Sequence, residues 1–164
     1  MAEPIRELRH RTMTNLRVPR ASLAAARIAA ALRTPLPRPN TVATGLHPVL
    51  WLGPDEWLVI GDGVHERLTR ALGDDFGSVV DVSANRTTFE LSGPLARDVL
   101  EKGVAVDLHP SVFGPGQCVQ TLLARAQVIL QQVDAEPTYH VLVRGSFAPY
   151  LAAWLADAAS EFVG

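Results

Sequence analysis

The sequence predicts an α+β fold, mostly antiparallel sheets with helices packed on them. Three observations lead there. Extended segments outnumber helical ones without the strict alternation that a parallel sheet needs. The second half repeats the strand, strand, helix rhythm of the first. With 164 residues, 48% hydrophobic and 20% charged, the chain can bury one substantial core and has neither the charge excess nor the low hydrophobicity of a disordered segment.

Taken in order, residues 1–11 read as a flexible basic arm and 12–164 as a single domain. Residues 12–18 suit a strand. Pro19-Arg20-Ala21-Ser22 then leads into an alanine-rich helix over 23–33, with Leu23, Ala26, Ala30 and Ala31 toward a core and Arg27 and Arg33 in water. Pro35, Pro37 and Pro39 forbid a continuing helix and force extended chain. Short strands follow at 41–43 and 49–52. The block Trp51-Leu52-Gly53-Pro54-Asp55-Glu56-Trp57-Leu58 reads as a buried hairpin: Gly53 supplies positive φ, Pro54 sets the first corner, and the Asp55 carboxylate satisfies a backbone donor. A helix over 64–72, capped by Asp62 and closed by Gly73, comes next.

In the second half, strands at 78–82 and 87–92 flank Ser83-Ala84-Asn85-Arg86, and Gly93-Pro94 opens a helix to residue 102. Three more strands are expected at 117–125, 128–133 and 139–143. A final helix over 147–162 places Tyr150, Leu151, Trp154, Leu155 and Ala158 on one apolar face.

Charge is unevenly spread. Residues 1–40 hold eight arginines against two acids, whereas the rest holds seven basic and fifteen acidic residues, within a net charge of −2. Such an arm suits an acidic protein partner or plain solvation better than nucleic acid. Lys102 is the sole lysine, which points to coding bias rather than a demand for guanidinium forks. One cysteine, Cys118, can form neither an internal disulfide nor a cysteine zinc cage, and fits a reducing compartment. No run reaches the roughly 20 apolar residues of a membrane span. The start lacks an apolar secretory core, so a cytoplasmic setting with no membrane association is expected.

Catalytic, cofactor-binding and metal-ligating residues are expected to be none. Gly61-Asp62-Gly63-Val64-His65-Glu66 follows a strand and opens a helix as a dinucleotide fingerprint would. Yet Glu66 stands in the third glycine position, and Asp62 sets a carboxylate where pyrophosphate would need bare amides. His10, His47, His65, His109 and His140 are scattered without metal-ligand spacing. His109 reads as a turn residue, Cys118 as a buried thiol, and Asp74-Asp75 as solvated loop acids. Ser83 and Ser92 lack a nucleophile elbow.

The Trp51 to Leu58 wording is similar to a block of the gamma subunit family of heterotetrameric sarcosine oxidase. The resemblance extends in order through Asp81-Val82-Ser83, Arg86, Leu91-Ser92-Gly93-Pro94, Asp107-Leu108-His109-Pro110, Cys118 to Arg125 and Arg144-x-Ser146-Phe147-Ala148-x-Tyr150-Leu151, over residues 40–159. More distantly, Asp-Val-Ser before a strand and a Gly-Pro helix resembles the aminomethyltransferase (glycine-cleavage T-protein) superfamily. That implies two intertwined β-α-β-type subdomains like its folate-binding domain.

The superfamily's folate enzymes carry an acidic pair where this chain has Leu130-Gln131-Gln132. Glutamine cannot supply the negative charge that stabilises an iminium cation. The resemblance therefore implies a non-catalytic gamma subunit. Its alpha, beta and delta partners would hold FAD, FMN, NAD and tetrahydrofolate and would oxidatively demethylate sarcosine to glycine. Hydrogen peroxide would form, and the one-carbon unit would pass to tetrahydrofolate or leave as formaldehyde.

Subunit interfaces are anchored by tryptophan and arginine, which makes Trp51, Trp57 and Trp154 candidates, although all three tryptophans could equally fill this chain's own core, and makes Arg86, at a turn, the better exposed anchor; Arg86, Trp51 and Trp57 are the interface residues expected. Two other readings stay open: a stand-alone tetrahydrofolate-binding protein of the T-protein superfamily, and a small regulatory module that binds an amino-acid-like ligand.

Overall fold

The computed structural model describes residues 5–162. Within them the chain divides into two units, His10–Ser83, and the described parts of Met1–Arg9 with Ala84–Gly164. The first strand, β1 (Ile5–Leu8), therefore belongs to the unit that the carboxy-terminal half builds. Each unit is one antiparallel five-stranded sheet with two helices of its own. This is the α+β architecture the sequence predicts.

The His10–Ser83 unit contains β2 (Met13–Arg17), α1 (Leu23–Leu32), β3 (Val42–Thr44), β4 (Pro48–Gly53), β5 (Glu56–Ile60), α2 (Val64–Leu72) and β6 (Ser78–Asp81), with sheet order β3-β4-β5-β2-β6. Its core gathers Leu16, Ile28, Leu32, Trp57, Val59 and Leu68. On α2 the buried residues Val64, Leu68 and Leu72 recur every four positions, one stripe of a helix.

Helix α1 buries Ala24, Ala25, Ile28 and Leu32, which corrects the expected face: Leu23 is 81% exposed and Ala26 and Ala30 face water. Burying Ile28 and Leu32 is worth about 1.5–3 kcal/mol each, so these two large side chains set the rotation of a helix whose alanines are nearly indifferent. Ser22 caps it, its Oγ accepting from Ala25 N at 3.1 Å.

The Trp51 to Leu58 block does form a hairpin, with Trp51 opposite Trp57. Positive φ falls at Asp55 (58°) and not at Gly53, since a turn with proline at its second position bends through the third. The Asp55 carboxylate accepts from Arg20 N at 2.7 Å. Asp62 does not cap α2. Gly63 occupies the cap position with φ of 70°, and Asp62 accepts from the Thr12 hydroxyl at 2.6 Å instead.

The second unit adds β7 (Arg86–Ser92), α3 (Ala96–Glu101), β8 (Cys118–Leu123), β9 (Ala126–Asp134), β10 (Thr138–Arg144) and α4 (Ala148–Ser160), with sheet order β1-β7-β10-β9-β8. Helices α3 and α4 cover one face, packing Val99, Leu100, Leu151 and Leu155 onto Phe89, Leu91, Leu130 and Val141. Residues 5–8, expected in a flexible arm, instead pair with β7, because Ile5 reaches this core and Arg6 Nε lies 2.7 Å from Glu90 Oε1.

The strand expected over 117–125 stops at Leu123, and Ala124, with φ of 52°, turns the chain into β9. Helix α3 is shorter than the expected 94–102, because Gly93 and Pro94 form a turn closed by Ala96 N to Gly93 O. On α4, Tyr150 is 39% exposed. Trp154 is half-buried and lies on Gly103, where any Cβ would sit 2.4 Å from its ring.

Candidate docking surface

The groups that could carry chemistry are engaged locally. His109 Nδ1 is 2.7 Å from Ser111 Oγ, and its backbone N–H donates to Asp107 Oδ1. It is a turn residue. Cys118 is 1% exposed. Ser83 turns its hydroxyl and its N–H onto Asp81 Oδ1, and these bonds hold that carboxyl below its ordinary range. Gly61 packs against the His47 ring so closely that a Cβ would overlap it, which gives this glycine a packing role.

Asp75 holds Arg27, whose guanidinium also reaches the last carbonyls of α2 at Ala71 and Leu72, so this acid is not merely solvated. Gln131 and Gln132 are buried, and Gln132 Nε2 donates to Asp134 O at 3.0 Å. Among the described residues, no three His, Cys, Asp or Glu side chains stand close enough to hold a metal.

The three interface candidates fall in different places. Trp57 is fully buried. Its Nε1 donates to Pro37 O at 3.1 Å, and the Arg20 guanidinium lies 5.9 Å above its ring while donating to Pro37 O and Leu36 O. Trp57 thus pins the proline-rich segment to its own unit, and cannot present itself to a partner as the sequence reading had it. Trp51, its cross-strand neighbour, is half-buried and borders an open groove with Arg20, Arg38 and Pro39. Aromatic area beside guanidinium groups is the composition of an interface anchor.

Arg86 opens β7 in the other unit. Its Cα partner on β10 is Arg144, so both guanidinium groups leave the same face of the sheet on adjacent strands. They border a groove of about 510 Å³ whose other side chains include Gln120, Leu122, Gln127 and Ile129. Sequence reading singled out Arg86 but not its pairing with Arg144, since 58 residues separate them and nothing local sets the register.

Further along the same face, Glu90 meets Arg6 and His140. Its Oε1 is 2.7 Å from Arg6 Nε and its Oε2 is 2.9 Å from His140 Nε2. Burial pushes its carboxyl upward, but the hydrogen bonds from Arg6 and His140 outweigh it and hold it below the usual carboxylate range. This cluster ties β1, β7 and β10 together.

Comparisons with known proteins bear on the family. The model of the family described as "Sarcosine oxidase, gamma subunit family" matches residues 18–161. The sarcosine oxidase subunit gamma of Arthrobacter sp is 42% identical, over 96% of this chain and 80% of that protein. Among solved structures, a chain of the heterotetrameric sarcosine oxidase from Corynebacterium sp. U-96, in complex with pyrrole 2-carboxylate, superposes with a TM-score of 0.92 at 38% identity, over 98% of this chain and 85% of that one. The glycine cleavage system aminomethyltransferase T from Bartonella henselae shares the fold, with a TM-score of 0.72 at 13% identity over 92% of this chain and 44% of that one. With the family model spanning nearly the whole described chain, this protein belongs to the sarcosine oxidase gamma subunit family.

Proposed function

We propose that this chain is the non-catalytic gamma subunit of a heterotetrameric sarcosine oxidase and contributes docking surface to the complex. One observation carries the reading: a likeness along nearly the full chain, in sequence and in fold, to a chain of a solved heterotetrameric sarcosine oxidase. Alpha, beta and delta subunits would be its partners. They would hold FAD, FMN, NAD and tetrahydrofolate, and demethylate sarcosine oxidatively to glycine with formation of hydrogen peroxide. The one-carbon unit would leave as formaldehyde or on tetrahydrofolate.

Trp51 and Arg86 are the proposed anchors on this chain, and Trp57 supports the first of them from within the core. The partners are protein, with no part for nucleic acid or a membrane surface, and the setting is cytoplasmic. No helix among the described residues is long and apolar enough to cross a membrane.

Absorption spectra test the reading. The chain purified alone should lack the flavin bands. Co-expressed with its neighbouring subunits and purified through a tag on this chain, it should bring those bands with it. Flavin bound to the isolated chain, or a co-expressed sample without the flavoprotein subunits, would overturn the reading.

A further inference from the structure

We propose that Phe147, Tyr150 and Arg125 form a contact point for a partner subunit: a carboxylate of the partner sits between the Tyr150 hydroxyl and the Arg125 guanidinium, and an apolar side chain next to it covers Phe147. The proposal rests on the gamma-subunit reading and names the chemistry of one contact within it.

The first observation is exposed aromatic surface held in a fixed place. Phe147 is 44% and Tyr150 39% exposed, and their rings meet edge to face, with centroids 6.3 Å apart at 88°. Phe147 directly precedes α4 and Tyr150 follows three residues later, the spacing that sets two side chains on one side of a helix. One turn further, Trp154 is half-buried on Gly103 and ties that side of α4 to the chain beside β8. Two large rings are thus left in water on a rigid support, and aromatic side chains with arginine are what interface cores are enriched in.

The second observation is unspent hydrogen-bonding capacity. The Tyr150 hydroxyl accepts from Arg125 N at 3.3 Å, which uses a lone pair and leaves its proton undonated among the described residues. Arg125 follows Ala124, whose φ of 52° turns β8 into β9. It is exposed, and its guanidinium makes no ion pair or hydrogen bond among the described residues. A phenolic O–H and a guanidinium therefore stand on residues already in contact, and one carboxylate can accept from both.

The third observation is charge. Residues 103–106, 123–127 and 144–156 meet here, joined by Ala124 N to Gly103 O at 2.9 Å and by the bond from Arg125 N to Tyr150. Together they carry two arginines, Arg125 and Arg144, and no carboxylate. An acidic partner is attracted along all three segments. A second copy of this chain, docked through the same patch on a two-fold axis, would set arginines against arginines. A free anion would use the donors and leave the rings bare, so the occupant that fits is a protein segment with an apolar residue next to its Asp or Glu.

The test uses the assembled complex and four variants of this chain: R125E, R125K, F147A, and R67E as a control with the same charge change on the exposed side of α2. R125E should raise the Kd for the partner subunits at least about 10-fold at low salt and less at high salt, because a carboxylate then faces a carboxylate. F147A should raise it about 5-fold or more, equally at both salt concentrations, since the lost contact is apolar. R125K keeps the charge and should stay close to wild type, and R67E should match wild type. All three positions are exposed, so the isolated variants should keep the wild-type circular dichroism spectrum.

An unchanged Kd in R125E or in F147A overturns the proposal, as does a loss in R125K or R67E equal to that in R125E. Self-association of the isolated chain in sedimentation that F147A abolishes would also overturn it, in favour of a contact between copies. Failure of the wild-type chain to hold any partner would strike the gamma-subunit reading itself, a separate and recognisable result.

Discussion

Trp57 and Trp51 look equivalent in the sequence, each flanking the same turn, yet they face different surroundings. Trp57 is sealed in the core with its N–H on Pro37 O, whereas Trp51 borders a groove. Replacing Trp57 with Phe leaves Pro37 O with Arg20 Nη1 as its remaining side-chain donor and opens space in the core, and should cost about 1–3 kcal/mol of stability in a urea melt. Glu90 carries a second expectation. Its folded-state carboxyl titrates below the ordinary glutamate range, so its stabilisation is fully present above the unfolded-state value and is lost as pH falls through the folded value. Replacing Glu90 with Gln should cost about 1–3 kcal/mol at neutral pH and flatten the acid limb of the stability profile. An unchanged acid limb would mean that Arg6 and His140 do not act through Glu90. None of these partners is adjacent in sequence, which is why Glu90 could not be singled out beforehand.

At the scale of elements, strong local signals located helices and turns, and weak ones left their orientation open. The proline-rich segment, the hairpin and α2 were legible, because proline, glycine and four-residue periodicity each restrict the backbone directly. The face of α1 was not, since an alanine-rich helix presents much the same small surface all round and only packing against the sheet selects Ile28 and Leu32. The β8–β9 reversal was expected two residues too late for a related reason: Ala124 adopts φ of 52° without any glycine or asparagine to announce it. Strand β1 hid among arginines, its pairing dependent on a partner more than 80 residues away.

Gly45 gives the element scale its own test. A Cβ there would lie 2.3 Å from Leu32 O and 2.9 Å from Arg33 O, both backbone atoms at the end of α1 that cannot step aside as a flexible side chain would. Gly45 to Ala should therefore lower stability by about 1–3 kcal/mol and loosen the α1 terminus. Hydrogen exchange at Leu46 N, which bonds Leu32 O at 3.0 Å, would report it. Exchange as slow as in wild type would show that the loop accommodates the methyl group.

For the whole molecule, the question is whether a residue serves its own fold or the complex. Trp51 distinguishes the two. Replacement by Ala should weaken partner binding at least about 10-fold, as expected for an aromatic interface anchor, and leave the isolated chain folded in circular dichroism. Wild-type affinity in that variant would remove Trp51 from the interface.

The sequence by itself determined the class of fold, the order of most elements and the family, because these depend on local backbone restriction and on an ordered set of motifs spread along the chain. The tertiary structure decided which tryptophan is interior, that the amino-terminal segment is a strand, and that Arg144 stands beside Arg86. Each of these is a matter of strand register and burial between distant residues, and no local physics specifies them.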